Sequence, residues 1–299
     1  VAQTKTQIQA LLQHAETAPR HRFGQNFMID QNLVRIVAAA AQIVEGDVLI
    51  EVGPGTGTLT EELLASPAAR VVAVEIDRDL AKMLRERFGG NDRFELIEGD
   101  ALSGKHELNA DLMALLRSNI APTAVDRGVS PPATRGNASV KLIANLPYNI
   151  ASPLVIELLL AGVDLLVFTV QREVADRLRA VAGDEAYGPL SVMAGMLAEV
   201  QVLRTLPPGA FWPAPKIDSA LVRMVRRDRL GSAANAFSRF VHQVFSFRRK
   251  TLRKALAMSG FAAEELLAKT GLNGQQRPEE IAAEAFLRMY SQLPALPTS

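Results

Sequence analysis

None of the 299 residues is cysteine. A disulfide framework, a thiol nucleophile and a thiolate metal site are therefore excluded. Histidine is scarce. The four present, at 14, 21, 106 and 242, lie far apart and show no H-E-x-x-H spacing, so no catalytic metal is predicted. No apolar run reaches 18 residues, which predicts no transmembrane helix and no membrane partner. The opening VAQTKTQIQALLQHAET lacks an apolar secretory core and reads as a polar amphipathic helix with Ile8, Leu11 and Leu12 on its apolar side. These absences together predict a cytoplasmic protein. Nor is there a large excess of either charge: 33 Lys and Arg stand against 32 Asp and Glu, a net +1. The distribution is less even. From Lys216 to Lys254, eleven basic residues face only Asp218 and Asp228, a local excess of nine. Such asymmetry fits a phosphate-binding face, or a solvated surface balanced by acids elsewhere in the fold.

Short apolar runs alternate with helix-like stretches from about residue 33 to 205. The strand candidates are Val48–Val52, Val71–Glu75, Phe94–Glu98, Val140–Ala144 and Leu165–Val170. Near-continuous apolarity suits strands covered on both faces of a mostly parallel sheet. Helix candidates fall between them at Leu59–Ala65, Arg78–Phe88, Pro153–Leu160 and Arg172–Ala180. This is the rhythm of an α/β, Rossmann-like doubly wound domain. Two later apolar segments, Val200–Leu206 and Ser219–Val225, flank PPGAFWPAPKID, a loop too rich in proline for a strand or helix interior. They read as an antiparallel pair. After Arg229 the strand signal stops, and helices are expected at 233–258, 261–269 and 278–291. The predicted organisation is a Rossmann-like domain with an N-terminal extension over 1–229 and a small helical domain over 230–299, whose basic start fits nucleic-acid phosphate. Residues 119–139, rich in Pro, Gly, Ser, Thr and Ala, read as a long surface insertion.

The first strand runs into Glu51-Val-Gly-Pro-Gly-Thr-Gly57. Gly53, Gly55 and Gly57 permit a tight turn and close approach of a ligand to the backbone. This motif alone also occurs in nicotinamide and flavin sites. Its surroundings narrow the choice. Glu75 ends the second strand, 22 residues beyond Gly53, where a carboxylate can accept both ribose hydroxyl protons. Asp100 follows the third strand, where it can accept from an adenine amino group. Three acids, Glu51, Glu75 and Asp100, at the carboxyl ends of consecutive strands do not favour a pyrophosphate. They suit a cationic sulfonium cofactor.

The fourth strand leads into Asn145-Leu146-Pro147-Tyr148. The N6 lone pair of adenine is delocalised into the ring, so this nitrogen needs acceptors that hold its hydrogens and favour a more tetrahedral transition state. The Asn145 side-chain oxygen and the Leu146 carbonyl can serve. Pro147 stiffens the turn, and Tyr148 can stack on the base. In the proline-rich loop, Phe211 and Trp212 divide between a base pocket and packing, with Phe211 expected in the pocket.

The segments RFGQNFMID (22–30), EVGPGTGTLT (51–60), VEID (74–77), EGDAL (98–102), NLPYNIASPL (145–154), QREVADRL (171–178), YGPLSV (187–192) and FWPAPKIDSALV (211–222) occur in an order that resembles the KsgA/RsmA ribosomal RNA adenine dimethyltransferases. The resemblance implies S-adenosyl-L-methionine as methyl donor and S-adenosyl-L-homocysteine as product. It implies dimethylation of two adjacent adenosines in the last hairpin loop of 16S rRNA, within an immature small ribosomal subunit and not on DNA, by a monomer. It further implies that Asn26, Met28, Gly53, Glu75, Asp100 and Asn145 contact or border the cofactor, with Phe27 a looser match. Asn145, Leu146, Tyr148 and Phe211 would form the target-base pocket. Two departures stand out: the long 119–139 insertion, and Gly195 where glutamine is expected. The alternatives are a large-subunit rRNA methyltransferase of the macrolide-resistance type and a ribosome-assembly checkpoint factor acting mainly by binding.

Overall fold

A computed structural model describes residues 3–20, 23–104, 107–120 and 139–293. His21, Arg22, His106 and all of the 119–139 insertion except residues 119, 120 and 139 lie outside the described residues. The chain divides into two compact units, Val1–Arg172 with Gln201–Arg226, and Glu173–Val200 with Arg227–Ser299.

The first unit is built on seven strands: β1 (Val48–Val52), β2 (Arg70–Glu75), β3 (Phe94–Glu98), β4 (Val140–Asn145), β5 (Leu165–Gln171), β6 (Ala198–Leu206, of which 201–206 belong here) and β7 (Ser219–Arg226). Their spatial order is β3-β2-β1-β4-β5-β7-β6. Strands β1 to β5 pair in parallel, and β7 runs antiparallel to β5, with Leu221 opposite Thr169. The continuous apolar runs follow from this geometry. Leu49, Ile50, Val71, Val72, Leu142 and Ile143 are fully buried because helices cover both faces.

Six helices of this unit are α1 (Lys5–His14), α2 (Gln31–Ala40), α3 (Thr58–Leu64), α4 (Arg78–Phe88), α5 (Ala110–Asn119) and α6 (Ala151–Leu160). Their starts are written in short polar side chains. Thr4 and Gln7 form a capping box on α1, Asp30 accepts from Asn32 and Leu33 N–H on α2, Asp77 caps α4, and Asn109 caps α5. Ile8 and Leu12 bury the apolar side of α1 as its spacing predicts, whereas Leu11 is only partly buried. At the amino-terminal end of β4, Lys141 Nζ meets Asp47 at 2.6 Å and also donates to the Ala41 and Gln42 carbonyls.

The second unit carries α7 (Arg172–Arg179, beyond its first residue), α8 (Pro189–Leu197), α9 (Ala234–Phe245), α10 (Leu252–Met258), α11 (Ala263–Thr270) and α12 (Ala283–Ser291). Aromatic rings fill its core: Phe240 meets Phe261, Phe286 and Tyr290 edge-on or tilted, at 5.0 to 6.4 Å. The boundary therefore differs from the expected break at 229/230. Residues 173–200 join the C-terminal helices because Tyr187 donates to the Ile281 carbonyl and packs on Phe245, while α8 packs on α9 and α12. The expected 233–258 helix is two helices, interrupted at 246–251.

Candidate active site

Strand order reverses between β1 and β4, and a cleft opens there beyond the carboxyl ends of the strands. Its floor is the glycine loop. Gly53 and Gly55 take φ values of +70° and +61°, which other residues adopt only with strain. Close contacts add a second reason. A Cβ on Gly55 would lie 2.8 Å from the Phe27 ring, and one on Gly53 3.2 Å from Pro147.

Two acids stand buried in this wall. Glu51 is 2% exposed and accepts from the Thr60 hydroxyl at 2.6 Å. Burial pushes its carboxyl up to about 8, against the Thr60 bond and with help from the Glu75 charge. Glu75 is 3% exposed, taking the Asp77 N–H at 2.8 Å on one oxygen and the Gly55 N–H at 3.2 Å on the other. Burial raises it to about 7, opposed by those backbone donors. Asp100 is exposed; its Oδ1 accepts from Leu102 N–H. All three line the cleft.

Asn145 ends β4, and its amide is tied at both ends. Nδ2 donates to the Asn26 carbonyl at 2.6 Å, and Oδ1 accepts from the Thr169 hydroxyl at 2.5 Å. Leu146 is buried and donates its N–H to the Thr169 carbonyl. The half-buried Tyr148 shares a 2.7 Å hydrogen bond with Ser219, and its phenol is raised by burial. Asn26, Phe27 and Met28 form the facing wall. Their segment is held by Arg20, which forms ion pairs with Asp77 and Asp79, and by Gln25, which donates to Asp77.

The cleft thus gathers Asn26, Phe27, Met28, Glu51, Gly53 and Gly55. It also takes in Glu75, Asp100, Asn145 and Pro147, but not Leu146, Tyr148 or Phe211. Phe211 departs most from expectation. It is 2% exposed and sits in a core cluster with Leu33, Val34, Ala210 and Leu221. The cause is a two-strand ribbon in which 27–28 pairs antiparallel with 211–212. Met28 and Phe211 share the core side, whereas Trp212 stacks on Phe27 at 6.3 Å. Sequence reasoning did not single out Thr169, Ser219 or the tethering role of Asp77. The available signal was a hydroxyl or carboxylate at or near one end of an otherwise apolar strand.

The model of the ribosomal RNA adenine dimethylases matches residues 17–294. The chain belongs to this family. Among the dimethylase's relatives, the ribosomal RNA small subunit methyltransferase A of Synechococcus sp. (strain CC9902) is 36% identical over 90% of this chain and 94% of its own. That of Marinobacter nauticus is 38% identical over 92% and 91%. Two solved structures are similar in fold. The 23S rRNA methyltransferase ErmE is 26% identical, with a TM-score of 0.60 over 89% of this chain and 98% of its own. A dimethyladenosine transferase from Plasmodium falciparum is 21% identical, with a TM-score of 0.65 over 88% and 95%. This chain is accordingly an S-adenosylmethionine-dependent rRNA adenine dimethyltransferase of ribosome biogenesis, with the Rossmann-like fold that its strand pattern predicts.

The residues of the cleft fit that cofactor. Gly53 and Gly55 line the cleft, and buried carboxyls that resist ionisation gain when a sulfonium cation lies nearby. Among the described residues no group of His, Asp and Glu could hold a metal ion, and no helix is long and apolar enough to cross a membrane.

The basic stretch is largely spoken for. In the first unit Arg223 donates to the Ala40 carbonyl and Arg226 to that of Leu159. In the second, Arg227, Arg229, Arg248 and Arg253 pair with Glu199, Glu284, Glu279 and Glu264. Arg239, Arg249, Lys250 and Lys254 offer further positive charge in this unit, and all four are exposed.

Proposed function

We propose that this enzyme dimethylates the N6 of two adjacent adenosines in the 3'-terminal hairpin loop of 16S rRNA, acting as a cytoplasmic monomer on an immature small ribosomal subunit. The observation that carries the chemistry is the Asn145 amide, whose oxygen is fixed beside a cleft suited to a sulfonium cofactor. The choice of RNA is supported by relatives of 36–38% identity named for the small subunit.

When bound, S-adenosylmethionine supplies an electrophilic methyl group and leaves as S-adenosylhomocysteine. Every other task falls to the chain. Glu75 accepts from the ribose hydroxyls, and Asp100 from the adenine amino group of the cofactor. Asn145 Oδ1 and the Leu146 carbonyl hold the N6 hydrogens of the target base, favouring the tetrahedral nitrogen over the planar one. Tyr148, anchored by Ser219, stacks on the base. Phe211 braces Met28 from the core side. Exposed Arg249, Lys250 and Lys254 of the helical unit meet RNA phosphates.

The test is a time course on immature small subunits that separates adenosine, monomethyladenosine and dimethyladenosine. Asn145→Ala is expected to abolish the first transfer, and Tyr148→Ala to let monomethyladenosine accumulate. Near-wild-type rates for Asn145→Ala would refute the assignment of the site. The similarity to ErmE favours one rival substrate, large-subunit rRNA. Primer extension across both rRNAs separates the two.

A further inference from the structure

We infer that Thr169 is a positioning residue for N6 methylation, acting through Asn145; the inference rests on the reading of Asn145 given above. Thr169 lies near the end of β5, in the run Leu-Leu-Val-Phe-Thr-Val, and is 0% exposed. Its strand neighbours Val167, Phe168 and Val170 are equally buried. Valine has the same shape and suits such a strand better, since a buried hydroxyl costs stability unless it finds a partner. The partner here is Asn145 Oδ1, in register directly across the parallel pair β4–β5.

That bond has two consequences for chemistry. First, it completes the orientation of the amide. The Asn26 carbonyl can only accept, so it holds Nδ2, and Thr169 holds the oxygen at the other end. Rotation of the amide would break both bonds at once. Second, an amide oxygen has two acceptor lobes. Thr169 occupies one and leaves one, which matches a single N6 hydrogen. The other N6 hydrogen falls to the Leu146 carbonyl, whose residue Thr169 also fixes by accepting the Leu146 N–H at 3.2 Å. One residue outside the cleft wall therefore sets both acceptors that the reaction uses.

The experiment uses the full chain, immature small subunits and saturating S-adenosylmethionine. It compares Thr169→Val, Thr169→Ser, Asn145→Ala and the Thr169→Val/Asn145→Ala double variant. Thr169→Val is expected to lower kcat about tenfold, as for removal of one transition-state hydrogen bond. Cofactor affinity should stay within about twofold, because the glycine loop and Glu75 are untouched. Thr169→Ser should restore most of the rate, and the double variant should be no slower than Asn145→Ala alone. If Thr169→Val fails to fold, Thr169→Ala serves as the hydroxyl-free variant. A folded hydroxyl-free variant at wild-type kcat would overturn the inference. So would a serine variant as slow as valine, or a double variant showing the full product of both single effects. Failure of the underlying reading has a different signature: Asn145→Ala itself would turn over normally, and both conclusions would fall together. A slow Asn145→Ala beside a fast Thr169→Val sinks only the role of Thr169.

Discussion

Replacing Glu75 by glutamine tests the electrostatic logic of the cleft. The carboxylate takes backbone N–H groups from Asp77 and Gly55 on its two oxygens. Glutamine keeps one oxygen and turns an amide nitrogen toward the other donor. A buried N–H then lacks an acceptor, at a cost of about 1–3 kcal/mol in stability. Cofactor binding loses a charged acceptor as well, and should weaken by roughly 2 kcal/mol, or about 30-fold. The pH profile carries the sharper signature. Burial raises the Glu75 carboxyl to about 7, so at pH 6 most of it holds a proton. Binding that needs the carboxylate should therefore tighten roughly tenfold from pH 6 to pH 8 in the wild type. The glutamine variant should lose that dependence. Stability has the opposite sign. The folded chain keeps a proton that the unfolded chain releases, so this group destabilises the fold increasingly as pH rises from the ordinary carboxylate range through about 7. Calorimetric titration with S-adenosylmethionine at several pH values, beside thermal melts, reads both. Unchanged affinity in the glutamine variant, with a flat wild-type profile, would refute the role given to Glu75.

Three further outcomes are expected. Lys141→Met should cost about 3–5 kcal/mol in chemical denaturation, since it strands the fully buried Asp47. Burial pushes the Asp47 carboxyl up, but Lys141 and the Val44 and Ser139 N–H groups outweigh it and hold it below the usual range. Its stabilisation is thus present above the ordinary aspartate range and disappears as pH falls through the lowered value, which acid-unfolding curves would show. Phe211→Leu should lower stability by roughly 1–2 kcal/mol while leaving methylation per folded molecule intact. Abolished methylation at unchanged stability would return the ring to the base pocket. Arg249→Glu with Lys250→Glu should weaken RNA binding and flatten its log-log salt dependence by roughly one unit of slope for each phosphate no longer neutralised, with cofactor affinity unchanged. An unaltered slope in filter binding would take these residues off the RNA.

The parallel core was legible because strands covered on both faces leave a run of Val, Leu and Ile that little else produces. The glycine loop and the acids at the carboxyl ends of β1, β2 and β3 were legible because ligand approach restricts both backbone and charge at those positions. Helices α5 and α8 leave a weaker trace. ADLMALLRSN runs into a stretch rich in breakers, and PLSVMAGML is apolar around most of its circumference, which blurs the 3.6-residue period. Phe211 misled for a different reason. A proline-rich loop looks presented to solvent, yet a two-residue ribbon with 27–28 turns the ring inward, and so brief a pairing leaves no periodic signal. Thr169 and Ser219 read as minor impurities in hydrophobic strands. Their meaning depends on partners 24 and 71 residues away.

The Asp47–Lys141 pair also bears on how this chain can vary. Asp47 accepts the Ser139 N–H, and Asp164 that of Val140, so the chain is clamped where it enters β4. That clamp lies at the end of the strand opposite Asn145. A change in length between Asn119 and Ser139 would therefore meet a fixed anchor before it reached β4, at the end of the strand away from Asn145.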